Sequence, residues 1–159
     1  MYPRIDAPHD FNYPPDGLLG LHNILTANEI RTPGHTTDYN GDPARIVIKH
    51  GLTTLTTIGH LTGFKSFTCH YYGISSADSL EVAVYPYDTK SFIPFSRGGD
   101  SGSIIVDARG HLVALLTGGT GPLLSEISDV TYGTAMHSLF SEVIISQFPG
   151  ANLYFDGYN

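Results

Sequence analysis

Residues 98–119 read GGDSGSIIVDARGHLVALLTGG. Two apolar runs, 104–106 and 112–116, flank 107–110, a cluster of turn-forming residue types. That pattern predicts a β-hairpin. Outward from it, further segments have the same character: RIVIKHG (45–51), TTLTTIGHLTGF (53–64), SFTCHYYGI (66–74), SLEVAVYPYD (79–88) and DVTYGTAM (129–136). They are short, rich in β-branched and aromatic residues, and bounded by Gly or Pro. In the first, Ile46 and Ile48 should share a face. Gly51 and Gly63 should bound the second, since glycine favours turns. The spacing of the runs predicts an all-β body, a six-stranded antiparallel β-barrel over 45–133.

The period changes after Thr134, which stands where an N-cap would. Ala135, Met136, Leu139, Phe140, Val143 and Ile144 then follow an i, i+4, i+8 stripe. This predicts an amphipathic C-terminal helix over 134–148, stopped by Pro149 and Gly150, with a tail over 149–159. Residues 1–44 differ, with prolines at 3, 8, 14, 15, 33 and 43. They read as an N-terminal arm or linker. A short helix over 17–28 would place Leu18, Leu21 and Leu25 on one side. Phe11, Tyr13, Leu19 and Ile24 add to the apolar surface with which residues 11–30 should dock on the body.

The 159 residues carry a net charge of −7, which argues against nucleic-acid binding, since phosphate contacts need clustered Lys and Arg. No run reaches the ~20 apolar residues of a membrane span. MYPRIDAPHDF (1–11) lacks the apolar stretch of a signal peptide, so the cytoplasm is the default expectation. The lone Cys69 excludes an internal disulfide and reads as a small buried hydrophobe, not a nucleophile. His50, His60 and His70 recur every ten residues, which is no ligand spacing, so no metal and no cofactor is expected. Gly118, Gly119, Thr120, Gly121 and Pro122 lack the ending of a phosphate loop and read as a loop.

Chemistry concentrates in SRGGDSGS (96–103). Glycine pairs allow a tight turn that brings amide N–H groups together. Ser101 on such a turn can expose its hydroxyl, and the amides of Gly99 and Ser101 can converge as an oxyanion hole. Asp100 can fix the turn. Ser103 stands where the nucleophile elbow of α/β-hydrolases needs a glycine, which excludes that arrangement.

GDSGS followed by an apolar strand, a glycine turn, LVALLTGG and a terminal helix resembles the second barrel of chymotrypsin-like (trypsin-fold) serine proteases. VIKHGLTTLTTIGHLTGF (47–64) is similar to the start of that barrel in trypsin-like proteins of fungi and bacteria. The chain also resembles trypsin-like proteins of mushrooms with an APHDF-type arm and a PGDSGS-type motif. The resemblance covers about residues 45–148. It implies that Ser101 is the nucleophile, that Gly99 and Ser101 supply the oxyanion amides, and that Asp100 is the structural aspartate. It implies a peptide or protein substrate, contacted by Leu116, Thr117, Gly118 and Gly119, with Phe95 near the base of the specificity pocket. Leu55 departs from the family, which has glycine there, and Arg97 precedes the glycine pair.

A serine needs an oriented base. In the resembled family the histidine and aspartate come from the N-terminal barrel, and His9, His22 and His35 here lie in the arm. Three arrangements stay open. In the first the chain is a half-enzyme whose absent partner barrel supplies the base. In the second it is an inactive relative, a binding or interaction module, with homodimerisation through the exposed flank as the related expectation. Or one of its own histidines serves Ser101.

Overall fold

The computed structural model describes residues 17–32, 34, 36–37, 41–87, 93–120 and 130–155. Its elements are α1 (Ala27–Arg31), β1 (Thr36–Thr37), β2 (Pro43–Gly51), β3 (Leu55–Tyr72), β4 (Ser75–Pro86), β5 (Ile104–Asp107), β6 (Leu112–Gly119) and β7 (Thr131–Ala135). A terminal helix follows in three pieces, α2 (Met136–Ser138), a π-helical segment (Leu139–Ile144) and α3 (Ile145–Gln147). The chain is predominantly antiparallel β-sheet with a short C-terminal helix.

The strand order is β1-β2-β3-β4-β7-β6-β5. β2 also pairs with β5, matching Val47 to Asp107, Ile48 to Val106 and Lys49 to Ile105. The ladder that leaves β2 through β3 therefore returns to it through β5. Residues one apart face opposite sides of a strand, and two apolar clusters result. The inner one gathers Val47, Leu61, Val82, Val84, Phe95, Ile105, Val113 and Leu116. The outer one joins Ile48, Val106, Leu112 and Met136 to Leu19, Ile24, Leu139 and Phe155 of the arm, helix and tail. β2 is thus buried on both sides, unlike a strand with one wet face.

The expected strand count needs correction, to seven among the described residues. Thr36–Thr37 adds a short edge strand. The segments 53–64 and 66–74, expected as separate strands, belong to one 18-residue β3, on which Cys69, expected to be buried, is exposed. Gly63 does not end a strand. The register shifts between Leu61 and Lys65, and a Cβ at Gly63 would lie 2.9 Å from the carbonyl oxygen of Arg31. The glycine is there because α1 passes close by. Leu55 is the only non-glycine residue of positive φ among the described residues, at 56°.

The arm also differs from its expected helix over 17–28. Residues 22–25 run alongside the β5–β6 hairpin. The amide of His22 donates to Gly110 O (3.1 Å), that of Leu112 to Asn23 O (2.7 Å) and that of Leu25 to Leu112 O (2.9 Å). The helix begins only at Ala27. Thr26 caps it by accepting from the Glu29 amide, and the Glu29 carboxylate accepts from the Thr26 amide at 2.8 Å. Leu25 and Ile30 then enter the inner core. Arg45 holds the helix down, donating to Glu29 O (2.9 Å) and to the Asp107 carboxylate (3.2 Å). The docking surface includes Leu19, Ile24, Leu25 and Ile30, while Leu18 stays 71% exposed. Phe11 and Tyr13 lie outside the described residues, as do His9, His35, Gly121, Pro122 and the end of the tail.

At the other end, Thr134 is not a helix cap. It belongs to β7, and its hydroxyl donates to Glu81 Oε1 at 3.2 Å. The helix starts at Met136, preceded by Ala135, which makes no side-chain cap.

Candidate active site

The Ser101 segment consists of two consecutive turns. The Asp100 amide donates to Arg97 O at 3.0 Å, and the Ser103 amide donates to Asp100 O at 3.1 Å. The third residue of each turn is a glycine of positive φ, Gly99 at 98° and Gly102 at 86°. This backbone is strained for other residues. At Gly99 a Cβ would also fall 2.5 Å from the Thr53 hydroxyl. The glycines in GGDSGS thus fold the chain back on itself twice and leave Ser101, the second residue of the second turn, at the surface.

β6 fastens the second turn. Gly102 N–H donates to Leu116 O at 2.8 Å, and Leu116 N–H donates to Ser103 O at 2.9 Å. Ser101 is exposed. Among the described residues, the amides of Gly99 and Ser101 and the Ser101 hydroxyl make no hydrogen bond. Two unengaged backbone donors beside a surface hydroxyl are the parts an oxyanion hole uses.

Asp100 fixes the first turn from inside. It has no exposure. Oδ1 accepts from the amides of Thr53 (2.8 Å) and Thr54 (3.2 Å). Oδ2 accepts from the Arg97 amide (3.0 Å) and the Thr54 hydroxyl (2.6 Å). The Lys49 ammonium lies 3.4 Å from Oδ2, and both side chains are fully buried. Lys49 also donates to Thr54 Oγ1 and to Leu55 O at 3.0 Å, and its Nζ lies 5.8 Å from the centre of the Phe95 ring. Burial by itself would push the Asp100 carboxyl up, but the Thr54 hydroxyl and the amides of Arg97, Thr53 and Thr54 hold it well below the ordinary range. Burial pushes the Lys49 ammonium down, against the opposing pull of Asp100. A buried pair of this kind contributes little net stability, yet removing one partner strands the other charge. Its effect here is geometric, tying β2 and the 52–54 turn to the Ser101 segment. Gly51 permits the approach, since a Cβ there would lie 2.5 Å from Asp100 Oδ1.

A groove of about 1030 Å³ opens beside Ser101. Gly99, Ser101, Gly102 and Ser103 form one wall, β2 with Ile48 and His50 another, and Leu19 and Leu21 of the arm a third. The residues expected to contact substrate do not line it. Phe95 is buried in the inner core with its ring against Gly59, so its side chain is a packing group and not a wall of this groove. Leu116 is also buried and meets the serine segment through its backbone. Thr117, Gly118 and Gly119 run along β6 opposite β7, with Thr117 Oγ1 donating to Tyr132 O at 3.3 Å. Sequence reasoning missed Lys49 and the anchoring by Thr53 and Thr54. A lysine in an apolar strand reads as an edge residue, and nothing in its spacing points 51 positions onward to Asp100. Among the described residues no three His, Cys, Asp or Glu side chains gather as a metal site. No family model matches the chain, and no curated protein matches it.

Proposed function

We propose that the chain is a serine-endopeptidase-like domain, with Ser101 as nucleophile and the amides of Gly99 and Ser101 as the oxyanion hole. The observation that carries this reading is the pair of unengaged amides flanking an exposed serine on a turn clamped by a buried aspartate. In this reading the returning ladder β2-β3-β4-β7-β6-β5 is a closed six-stranded barrel, the second barrel of the trypsin fold. A partner barrel bearing histidine and aspartate supplies the base for efficient peptide-bond hydrolysis, and it seats on the groove beside Ser101. Thr117, Gly118 and Gly119 border the path of a peptide or protein substrate. The absence of a histidine bonded to the Ser101 hydroxyl among the described residues favours a second reading, a binding or interaction module that keeps the fold without turnover.

The test is intact-mass analysis after incubation with an organophosphonate. We expect one adduct per chain, located on Ser101, forming slowly and absent in Ser101→Ala. No adduct, or one unchanged in Ser101→Ala, rejects the nucleophile assignment and leaves the binding module.

A further inference from the structure

We propose that two copies of the chain associate through the distal part of β3, which adds edge to edge and antiparallel to β3 of the second copy. This is independent of the assignment of Ser101.

Beyond the body, β3 and β4 have only each other among the described residues. β2 pairs with β3 no further than Leu61, and β7 pairs with β4 only at residues 82–84. The β3–β4 ladder runs on, from Ser66 with Glu81 to Tyr72 with Ser75. A ribbon of two strands is marginal in water, and a third strand or more is needed to hold it. The apolar side of this ribbon faces water. Leu80 shares a side with the inner-core residues Val82 and Val84, and Phe67, paired with Leu80, lies on that side too. Phe67 is 68% exposed, Tyr71 81% and Leu80 60%. On the opposite side the part-buried hydroxyls of Thr68 and Ser79 lie 2.8 Å apart and satisfy each other.

The two edges of the ribbon differ in charge. Residues 66–74, SFTCHYYGI, hold no Asp, Glu, Lys or Arg. The free length of β4 carries the exposed Asp78 at its middle, so two β4 edges centred on one another would oppose like charges. An unpaired, uncharged edge is a template for another strand, and β3 supplies it.

The sequence of β3 also sets the register. Directly opposed residues share a side, so an antiparallel pair of identical strands matches odd positions to odd ones. With Cys69 opposite Cys69 of the second copy, Phe67 falls opposite Tyr71 and Tyr71 opposite Phe67. That places an aromatic cross-strand pair on each side of the two-fold axis. Moving the axis by one residue puts Phe67 opposite Gly73, or Tyr71 opposite Lys65. The contact is isologous, so it closes at two copies with the β4 edges outermost. Cys69 is exposed and is the one cysteine of the sequence, so it reports on the axis.

The test is sedimentation velocity of the full chain, with thiol cross-linking by a short bismaleimide. We expect a dimer at micromolar concentration that cross-links through Cys69. Phe67→Lys with Tyr71→Lys, at two exposed positions, should raise the dimer dissociation constant by about 10-fold or more, since both aromatic pairs become like charges. Phe67→Lys with Tyr71→Glu should restore the dimer, because the register sets opposite charges across both pairs. Phe148→Lys, at an exposed position beside the C-terminal helix, should leave it unchanged. A chain that is monomeric at these concentrations overturns the proposal, as does a dimer that survives Phe67→Lys with Tyr71→Lys or is lost in Phe148→Lys. A dimer that fails to cross-link through Cys69, or that Phe67→Lys with Tyr71→Glu fails to restore, overturns the antiparallel β3 pairing.

Discussion

A carboxylate removed from water destabilises a fold unless its lone pairs are met. Asp100 meets them with three amides, a hydroxyl and the Lys49 ammonium. Those donors come from β2, from the turn after it and from the serine segment, so one side chain sets how all three lie. Replacing it with alanine strands a buried ammonium and three amides. We expect Asp100→Ala to lose about 3–5 kcal/mol, read from urea unfolding. The pH dependence has a definite sign. The folded carboxyl lies below its unfolded value of about 4, so the unfolded state binds more protons as the solution is acidified. The contribution is complete above about pH 4 and is lost as pH falls through the folded value. Wild-type stability should therefore decline faster below about pH 4 than that of Asp100→Ala. Equal slopes would show that the carboxylate titrates alike in both states.

At the scale of elements, the arm decides how the sheet is covered. A leucine stripe at positions 18, 21 and 25 would bury all three side chains on a helix. The extended course beside the β5–β6 hairpin buries Leu25 and leaves Leu18 in water. The two arrangements give different mutational patterns. Leu25→Ala should cost about 2–5 kcal/mol, the range for a buried leucine. Leu18→Ala should stay within about 0.5 kcal/mol, as at an ordinary surface position. Thermal unfolding of the two variants checks this, and similar losses at both positions would restore the helical stripe. The capping box at Thr26 and Glu29 was open to reading in the sequence, since Thr-Ala-Asn-Glu has the S/T-x-x-E form. The apolar stripe upstream of it masked the true start of the helix.

For the whole molecule, activity depends on what surrounds the serine. His50 lines the same groove as Ser101, its Nδ1 2.8 Å from the Thr56 hydroxyl, and the Ser101 hydroxyl makes no hydrogen bond among the described residues. A nucleophile with an incomplete triad retains on the order of 10³-fold over water. That is far too little for peptide bonds, whose uncatalysed hydrolysis is very slow. We expect the chain by itself to release no more peptide from casein than Ser101→Ala does. Robust casein turnover that Ser101→Ala abolishes would show a complete triad within this chain.

Some features follow from local chemistry alone. The β character, the 107–110 hairpin turn and the double turn at Ser101 are written in short stretches, because β-branched runs and paired glycines restrict the backbone wherever they occur. The terminal helix was legible too, though its start was not. Thr134 caps helices by type, but here β7 continues through it to pair with β6. Tertiary structure decided the rest. Gly63 and Gly51 look like turn residues and serve as places of close approach, which depends on what passes beside them. Phe95 sits in the core, because Gly59 and Lys49 lie against its ring. The Lys49–Asp100 pair and the groove shared by Ser101 and His50 join residues about fifty positions apart. Local propensity constrains each segment only over a few neighbours. Pairing β2 with β5 across the sheet is what brings the lysine, the histidine and the serine to one place.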